Sequence, residues 1–98
     1  MTTDVERVLV VDDEPNLRKV LKALLTRSGF DVVTAKDGKE AVDVLRGGGI
    51  DLLMTDIRMP GMTGLELLSW SRNEQPDVPV IVITAHGTVD TAVQAMKE

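Results

Sequence analysis

The chain has 98 residues, 43% hydrophobic and 28% charged, with eleven basic and sixteen acidic side chains for a formal net charge of −5. That length supports one hydrophobic core and not two, and the acidic balance disfavours contact of this chain with nucleic-acid phosphates or anionic membrane surfaces. No cysteine is present, which excludes disulfides and thiolate metal sites; MTTDVER at the start holds no apolar targeting stretch and no run approaches a membrane span, so a cytoplasmic protein is expected.

Val8 to Val11 is an unbroken aliphatic run, the pattern of a strand buried on both faces in a parallel sheet. Asp13-Glu14-Pro15 follows as a helix-start signature, with an N-cap candidate and a proline in the first turn. Leu17, Val20, Leu21, Leu24 and Leu25 then repeat at helical spacing, one apolar face of a helix that Gly29 ends. Phe30 to Thr34 alternates and reads as a strand nearer a sheet edge. Asp37 to Arg46 is a second helix with Ala41, Val42 and Leu45 inward, and Gly47-Gly48-Gly49 breaks it. Leu52-Leu53-Met54 is a third strand ending at Thr55-Asp56, followed by the loop IRMPGMTG and a helix carrying Leu65, Leu67, Leu68 and Trp70. Pro76 stops that helix. Val78 to Thr84 is the most apolar strand, and Gly87 to Glu98 begins a fourth helix with Val89, Ala92, Val93 and Met96. With only Phe30 and Trp70 as aromatics, the core must come from Val, Leu, Ile, Met and Ala.

Strands alternating with helices of these lengths imply an α/β fold with a parallel sheet and right-handed crossovers. In such sheets ligands bind beyond the carboxyl ends of the strands, where the strand order reverses. The residues at those ends are Asp12, Asp13, Asp56 and Thr84, so three acids and a hydroxyl are expected to converge on one shallow pocket. Each also has an ordinary structural use: Asp13 as a cap for the first helix, Asp56 as a turn residue, Thr84 as a cap for the next helix. Together they suggest more. Carboxylates gathered at one edge of a dry sheet are unfavourable unless a positive charge sits among them, and an oxygen-only set suits Mg²⁺.

These residues resemble those of the receiver domain of bacterial two-component response regulators. The resemblance rests on the pair Asp12-Asp13 after the first strand, the stretch Asp56-Ile57-Arg58-Met59-Pro60 with Gly64 after the third, and Thr84-Ala85 after the fourth; it runs from about Arg7 to the last residue. VPVIVITAHGTVDTAVQAMKE, residues 78 to 98, is most similar to receivers of NtrC-type transcriptional activators, in which an ATPase and a DNA-binding domain normally follow. The resemblance implies a flavodoxin-like, CheY-like doubly wound sheet with strand order 2-1-3-4. It makes Asp56 the phosphoacceptor for a sensor histidine kinase, with Mg²⁺ held by Asp13, Asp56 and the backbone carbonyl of Arg58, and Asp12 orienting a water on the ion. Thr84 and Ala85 become the phosphoryl-contact and switch residues, reporting to the surface near the fourth helix. Met59, Pro60 and Gly64 shape the loop, proline fixing φ and glycine permitting a turn that no side chain could enter. Such a domain is a phosphoacceptor rather than an enzyme. Arg58 and His86 flank the pocket, where control of water access and plain surface exposure are both open readings; Lys97 reads as solvated and Trp70 as a packing residue.

A receiver has five strands and five helices, and its fifth strand ends in a lysine that contacts the phosphoryl group. Residues 1–98 read as a receiver that stops within the fourth helix, roughly 25 residues short of that pattern, so the fifth strand and helix are absent. Three expectations follow: an acid cluster with at least one raised pKa, a stronger dependence on Mg²⁺ and self-association through the fourth strand or the fourth helix. An alternative function is a phosphorylation-incompetent fragment that serves as an assembly or interaction module. Two enzyme readings are rejected. Haloacid-dehalogenase-type phosphatases want a second acid two residues after the strand-end aspartate, where Arg58 stands. Flavodoxin-like FMN binding needs a Ser/Thr/Gly loop after the first strand, where Asp12-Asp13-Glu14 would repel phosphate.

Overall fold

Arg7–Val11 forms the first strand, β1, of a computed structural model that describes residues 6–57, 59 and 61–83. The readings placed on Arg58, Pro60, Thr84, Ala85, His86, Lys97 and the fourth helix lie outside the described residues. Strand and helix then alternate: α1 (Pro15–Arg27), β2 (Asp31–Ala35), α2 (Gly38–Arg46), β3 (Leu52–Asp56), α3 (Gly64–Glu74) and β4 (Val80–Ile83). All pairings are parallel and the order is β2-β1-β3-β4, as the resemblance implies.

That order follows from how the chain leaves β1. It moves outward to β2 on one side, then returns past β1 to place β3 on the other, so the reversal falls between β1 and β3. Register does the rest. Val11 pairs with Ala35 on one flank and with Thr55 on the other, so Asp12 and Asp56 leave adjacent strands at the same level.

The two faces of β1 are both dry, which explains its unbroken aliphatic run: Val8, Leu9 and Val10 are fully buried. Leu9 and Val11 join Leu53, Ala41, Val42, Leu45 and Leu67 in the main core, against α2 and α3. By the two-residue alternation of a strand, Val8 and Val10 point to the opposite face, where α1 packs on β1 and β2. Burying each such side chain contributes about 1.5–3 kcal/mol, so this one strand anchors both layers. Trp70 is a packing residue as expected, half-buried against the main core with the Arg46 guanidinium 5.8 Å from its ring centroid.

Helix ends match the local chemistry, with two differences from expectation. α1 closes at Ser28 and Gly29: the Phe30 N–H donates to the Leu25 carbonyl and the Gly29 N–H to the Thr26 carbonyl, a Schellman arrangement. Its N-cap is Glu14, whose side chain accepts from the Asn16 N–H, and not the expected Asp13. Its apolar face also divides. Leu17, Leu21 and Leu25 are half-buried, while Val20 and Leu24 are 52% and 51% exposed, because a helix laid flat on a sheet turns only its central stripe downward. β4 begins at Val80 and not at the expected Val78; Val78 closes the turn after α3 by donating to the Gln75 carbonyl, and the Pro79 carbonyl accepts from Leu53.

Candidate functional site

Asp12 is the first residue beyond β1, and it is 3% exposed. Its N–H extends the β1–β2 pairing by donating to the Ala35 carbonyl at 3.1 Å, and its Oδ1 accepts from the Glu14 N–H at 2.9 Å. One carboxylate oxygen is thus spent on fixing the turn. Burial pushes the Asp12 carboxyl above its ordinary value; the Glu14 N–H opposes this, the charges of Asp56 and Asp13 add to it, and the Arg18 guanidinium lowers it. The expected raised acid is therefore Asp12, and its leading cause is desolvation.

Asp13 is exposed in the turn between β1 and α1. Because Glu14 caps the helix, the ordinary use of Asp13 as a cap does not apply and its carboxylate is not committed to the helix. Asp56, the last residue of β3, is 2% exposed. Its ordinary use as a turn residue fails too: neither Oδ1 nor Oδ2 has a hydrogen-bond partner among the described residues, although both are buried. A buried carboxylate with no partner costs several kcal/mol if it stays charged, so its environment calls for a cation.

The three acids do come together. Asp12, Asp13 and Asp56 each offer an oxygen, all within 4.8 Å of one another. Ligand oxygens around one octahedral magnesium lie about 3–4 Å apart, and those of the three acids are gathered close to that spacing. The donor set is entirely hard oxygen, and the orphaned oxygens of Asp56 point to the same conclusion, so the residues present fit a hard divalent cation.

The loop after β3 is pinned from two sides. Met59 is 7% exposed in the main core and Met62 packs against it; a Cβ on Gly38 would lie 2.6 Å from the Met62 Cβ, so the start of α2 presses on this loop. Gly64 is needed for a reason other than the turn. Its N–H donates to the Ile57 carbonyl at 2.8 Å, and a Cβ there would collide with the Asp56 carbonyl and lie 2.8 Å from the Ile57 Cα. The left-handed turn belongs instead to Gly61, at φ +76°. Close approach of α3 to the β3 end is what excludes a side chain at Gly64.

Two contributors were not anticipated from sequence. Thr63 and Glu66 form a reciprocal capping box at the start of α3, legible in T-G-L-E as Thr followed three residues later by Glu. Arg18 donates from Nη1 to the Asp12 carbonyl at 2.7 Å. Nothing in local spacing announced it, since the contact spans a strand end and a helix.

Fold and site define a doubly wound α/β module with a buried strand-end aspartate, without a partner among the described residues, beside an acidic pair at the switch point. The chain belongs to the response regulator receiver domain family, which residues 8–98 match, and is accordingly of the phosphoacceptor class found in two-component systems. Among curated relatives it is 41% identical over 92 residues to the response regulator protein PilR of Pseudomonas aeruginosa and 43% identical over 89 residues to the DNA-binding transcriptional regulator NtrC of Klebsiella pneumoniae. Those alignments take in 94% and 91% of this chain but 21% and 19% of the relatives, so it spans about a fifth of their length. The match to NtrC is in line with the likeness read from residues 78 to 98. Among solved structures, the response regulator TrrA of Thermotoga maritima in complex with Mg²⁺-BeF superposes with a TM-score of 0.82 at 40% identity, covering 93% of this chain and 81% of that one. TrrA is also known in complex with the histidine kinase ThkA, with a TM-score of 0.83. No helix among the described residues is long and apolar enough to cross a membrane.

Proposed function

We propose that Asp56 receives a phosphoryl group from the phosphohistidine of a sensor histidine kinase, and that the cation of the site is Mg²⁺. One observation carries the reading: both oxygens of Asp56 are buried without a partner among the described residues, beside the carboxylates of Asp12 and Asp13. When bound, Mg²⁺ supplies the positive charge that lets an anionic nucleophile meet an anionic phosphoryl group. Asp13 and Asp56 would hold it, with the Arg58 carbonyl assigned to the set by its place in the sequence, and Asp12 would support the set from the oxygen not bonded to Glu14.

The Asp56 side chain attacks phosphorus as a carboxylate. An O–P bond forms as the N–P bond of the phosphohistidine breaks, and the leaving imidazole nitrogen keeps the bonding pair and takes up a proton. Asp56 is aimed by β3, and the lack of a side chain at Gly64 lets the first turn of α3 sit close over its backbone. Asp12 is immobilised by the Glu14 N–H, which leaves it one orientation relative to Asp56. Thr84 and Ala85, outside the described residues, are assigned the phosphoryl contact and the switch by their place in the sequence; Pro60 is assigned to the loop in the same way. In the longer proteins of which such domains form a fifth, the switched surface near the fourth helix would regulate transcription.

This module works in the cytoplasm and does not itself contact nucleic acid, a reading supported by its charge of −5 and lack of cysteine. It accepts a phosphoryl group and does not turn over an external substrate. Self-association along the fourth strand or fourth helix is a further element of the reading; sedimentation as a monomer at high concentration would remove it.

The test is incubation with acetyl phosphate and Mg²⁺, read by intact mass. Gain of one phosphoryl group that depends on Mg²⁺ and disappears in Asp56→Ala is expected. Absence of any gain would favour the phosphorylation-incompetent interaction module instead.

A further inference from the structure

Arg18 has no part in the roles assigned above, yet it reaches the acid cluster from the first turn of α1. Its guanidinium is part-buried and donates to the Asp12 carbonyl at 2.7 Å. The other cations of the helix, Lys19, Lys22 and Arg27, are exposed. Among the described residues, Arg18 is also the one cation whose charge acts on Asp12.

Asp12 is therefore held at three points. Two of them employ main-chain N–H groups, its own on the Ala35 carbonyl and that of Glu14 on Oδ1. The third needs a long cationic side chain at this place on the helix. What it grips matters, because the Asp12 carbonyl and the Asp13 nitrogen and Cα belong to one planar peptide. Fixing that oxygen fixes the direction in which the chain carries Asp13, and Asp13 is the exposed member of the cluster with no cap to restrain it.

We propose that Arg18 is a positioning residue for the phosphoacceptor site: by holding the Asp12 carbonyl it sets the Asp12–Asp13 peptide so that both carboxylates face Asp56. The inference rests on the phosphoacceptor reading and adds to it a residue outside the acid cluster. A grip and a charge make opposite predictions. If Arg18 acted only as a nearby positive charge it would repel the metal, and its removal would tighten Mg²⁺ binding. As a grip it preorganises the ligands, and its removal weakens Mg²⁺ binding, in the manner of groups that orient metal-binding side chains.

The experiment measures Mg²⁺ affinity by calorimetry in the wild-type chain and in Arg18→Met, which keeps an apolar stem and loses every donor. The expected result is an affinity lowered roughly tenfold. The Mg²⁺ concentration for half-maximal phosphorylation by acetyl phosphate should rise by a similar factor, while the rate at saturating Mg²⁺ changes by less than about twofold. Arg18→Lys, which keeps one donor group, should recover part of the loss. Arg18→Gln, too short to reach the carbonyl, serves under the same criterion should Arg18→Met not fold. Wild-type or tighter Mg²⁺ binding in either variant overturns the proposal. Failure of the wild-type chain to bind Mg²⁺ would overturn the phosphoacceptor reading itself, and this inference with it.

Discussion

The two ends of the sheet treat acidic residues in opposite ways. At the amino end, Arg7 Nε pairs with Asp31 Oδ2 at 2.8 Å and the Arg7 N–H donates to Asp51 Oδ2 at 2.8 Å, with the ion pair about half exposed on both sides. Each of these carboxylates has a partner and water nearby. At the carboxyl end Asp56 is buried with no partner among the described residues, and burial pushes the carboxyl of Asp12 up. Acids that serve structure are satisfied where they stand, whereas acids kept unsatisfied mark a site that something else completes.

The contrast is broken most forcefully at Gly64. Gly64→Ala puts a Cβ onto the Asp56 backbone and should cost about 3 kcal/mol or more, since backbone cannot yield as a side chain can. Urea denaturation will show it, and a loss below about 1 kcal/mol would mean that α3 can retreat from the strand end. Next in size, Asp56→Asn should abolish phosphoryl transfer while raising metal-free stability by about 1–2 kcal/mol, because a buried charge without a partner disappears. A lower melting temperature in that variant would show that Asp56 is satisfied in a way the contrast denies.

Acid titration sharpens the comparison. Asp12 has a folded pKa raised above 3.8, so in the window between those values the native state binds more protons than the unfolded chain. Metal-free stability from this group therefore falls as pH rises through the window and levels off above the folded pKa. Subtracting the curve of Asp12→Asn from that of the wild type isolates the effect. Mg²⁺ should reverse the trend, binding more weakly as pH falls and Asp12 protonates. The smallest effect belongs to the amino end: Asp31→Asn should cost about 0–1 kcal/mol, decreasing with added salt, as expected of a half-exposed pair.

Much of this was legible from local pattern. The buried run Val8 to Val11, the helical spacing after Pro15 and the glycine and proline stops each reflect chemistry decided within a few residues, and the element order they dictate leads to a parallel sheet. The convergence of Asp12, Asp13 and Asp56 was legible one step further on, from strand ends and a switch point. The cap of α1 falls one residue later than expected: Asp13 is the commoner cap type, but Pro15 takes the first helical position and leaves the cap to Glu14 just before it. Sequence gives Gly64 a turn that Gly61 makes; its own constraint is the carbonyl of Asp56, eight residues away in sequence and in contact only through packing.

What the amino-acid order determined by itself was which residues form strands and helices, where those elements end, and that acids stand at the strand ends, since each depends on backbone preferences and on spacing along one element. The tertiary structure decided the register that sets Asp12 beside Asp56, the burial of the Asp56 oxygens without a partner among the described residues and the reach of Arg18 to the Asp12 carbonyl. Those depend on distances between segments far apart in the chain, which are settled when the sheet and its helices pack and carry no trace in local pattern.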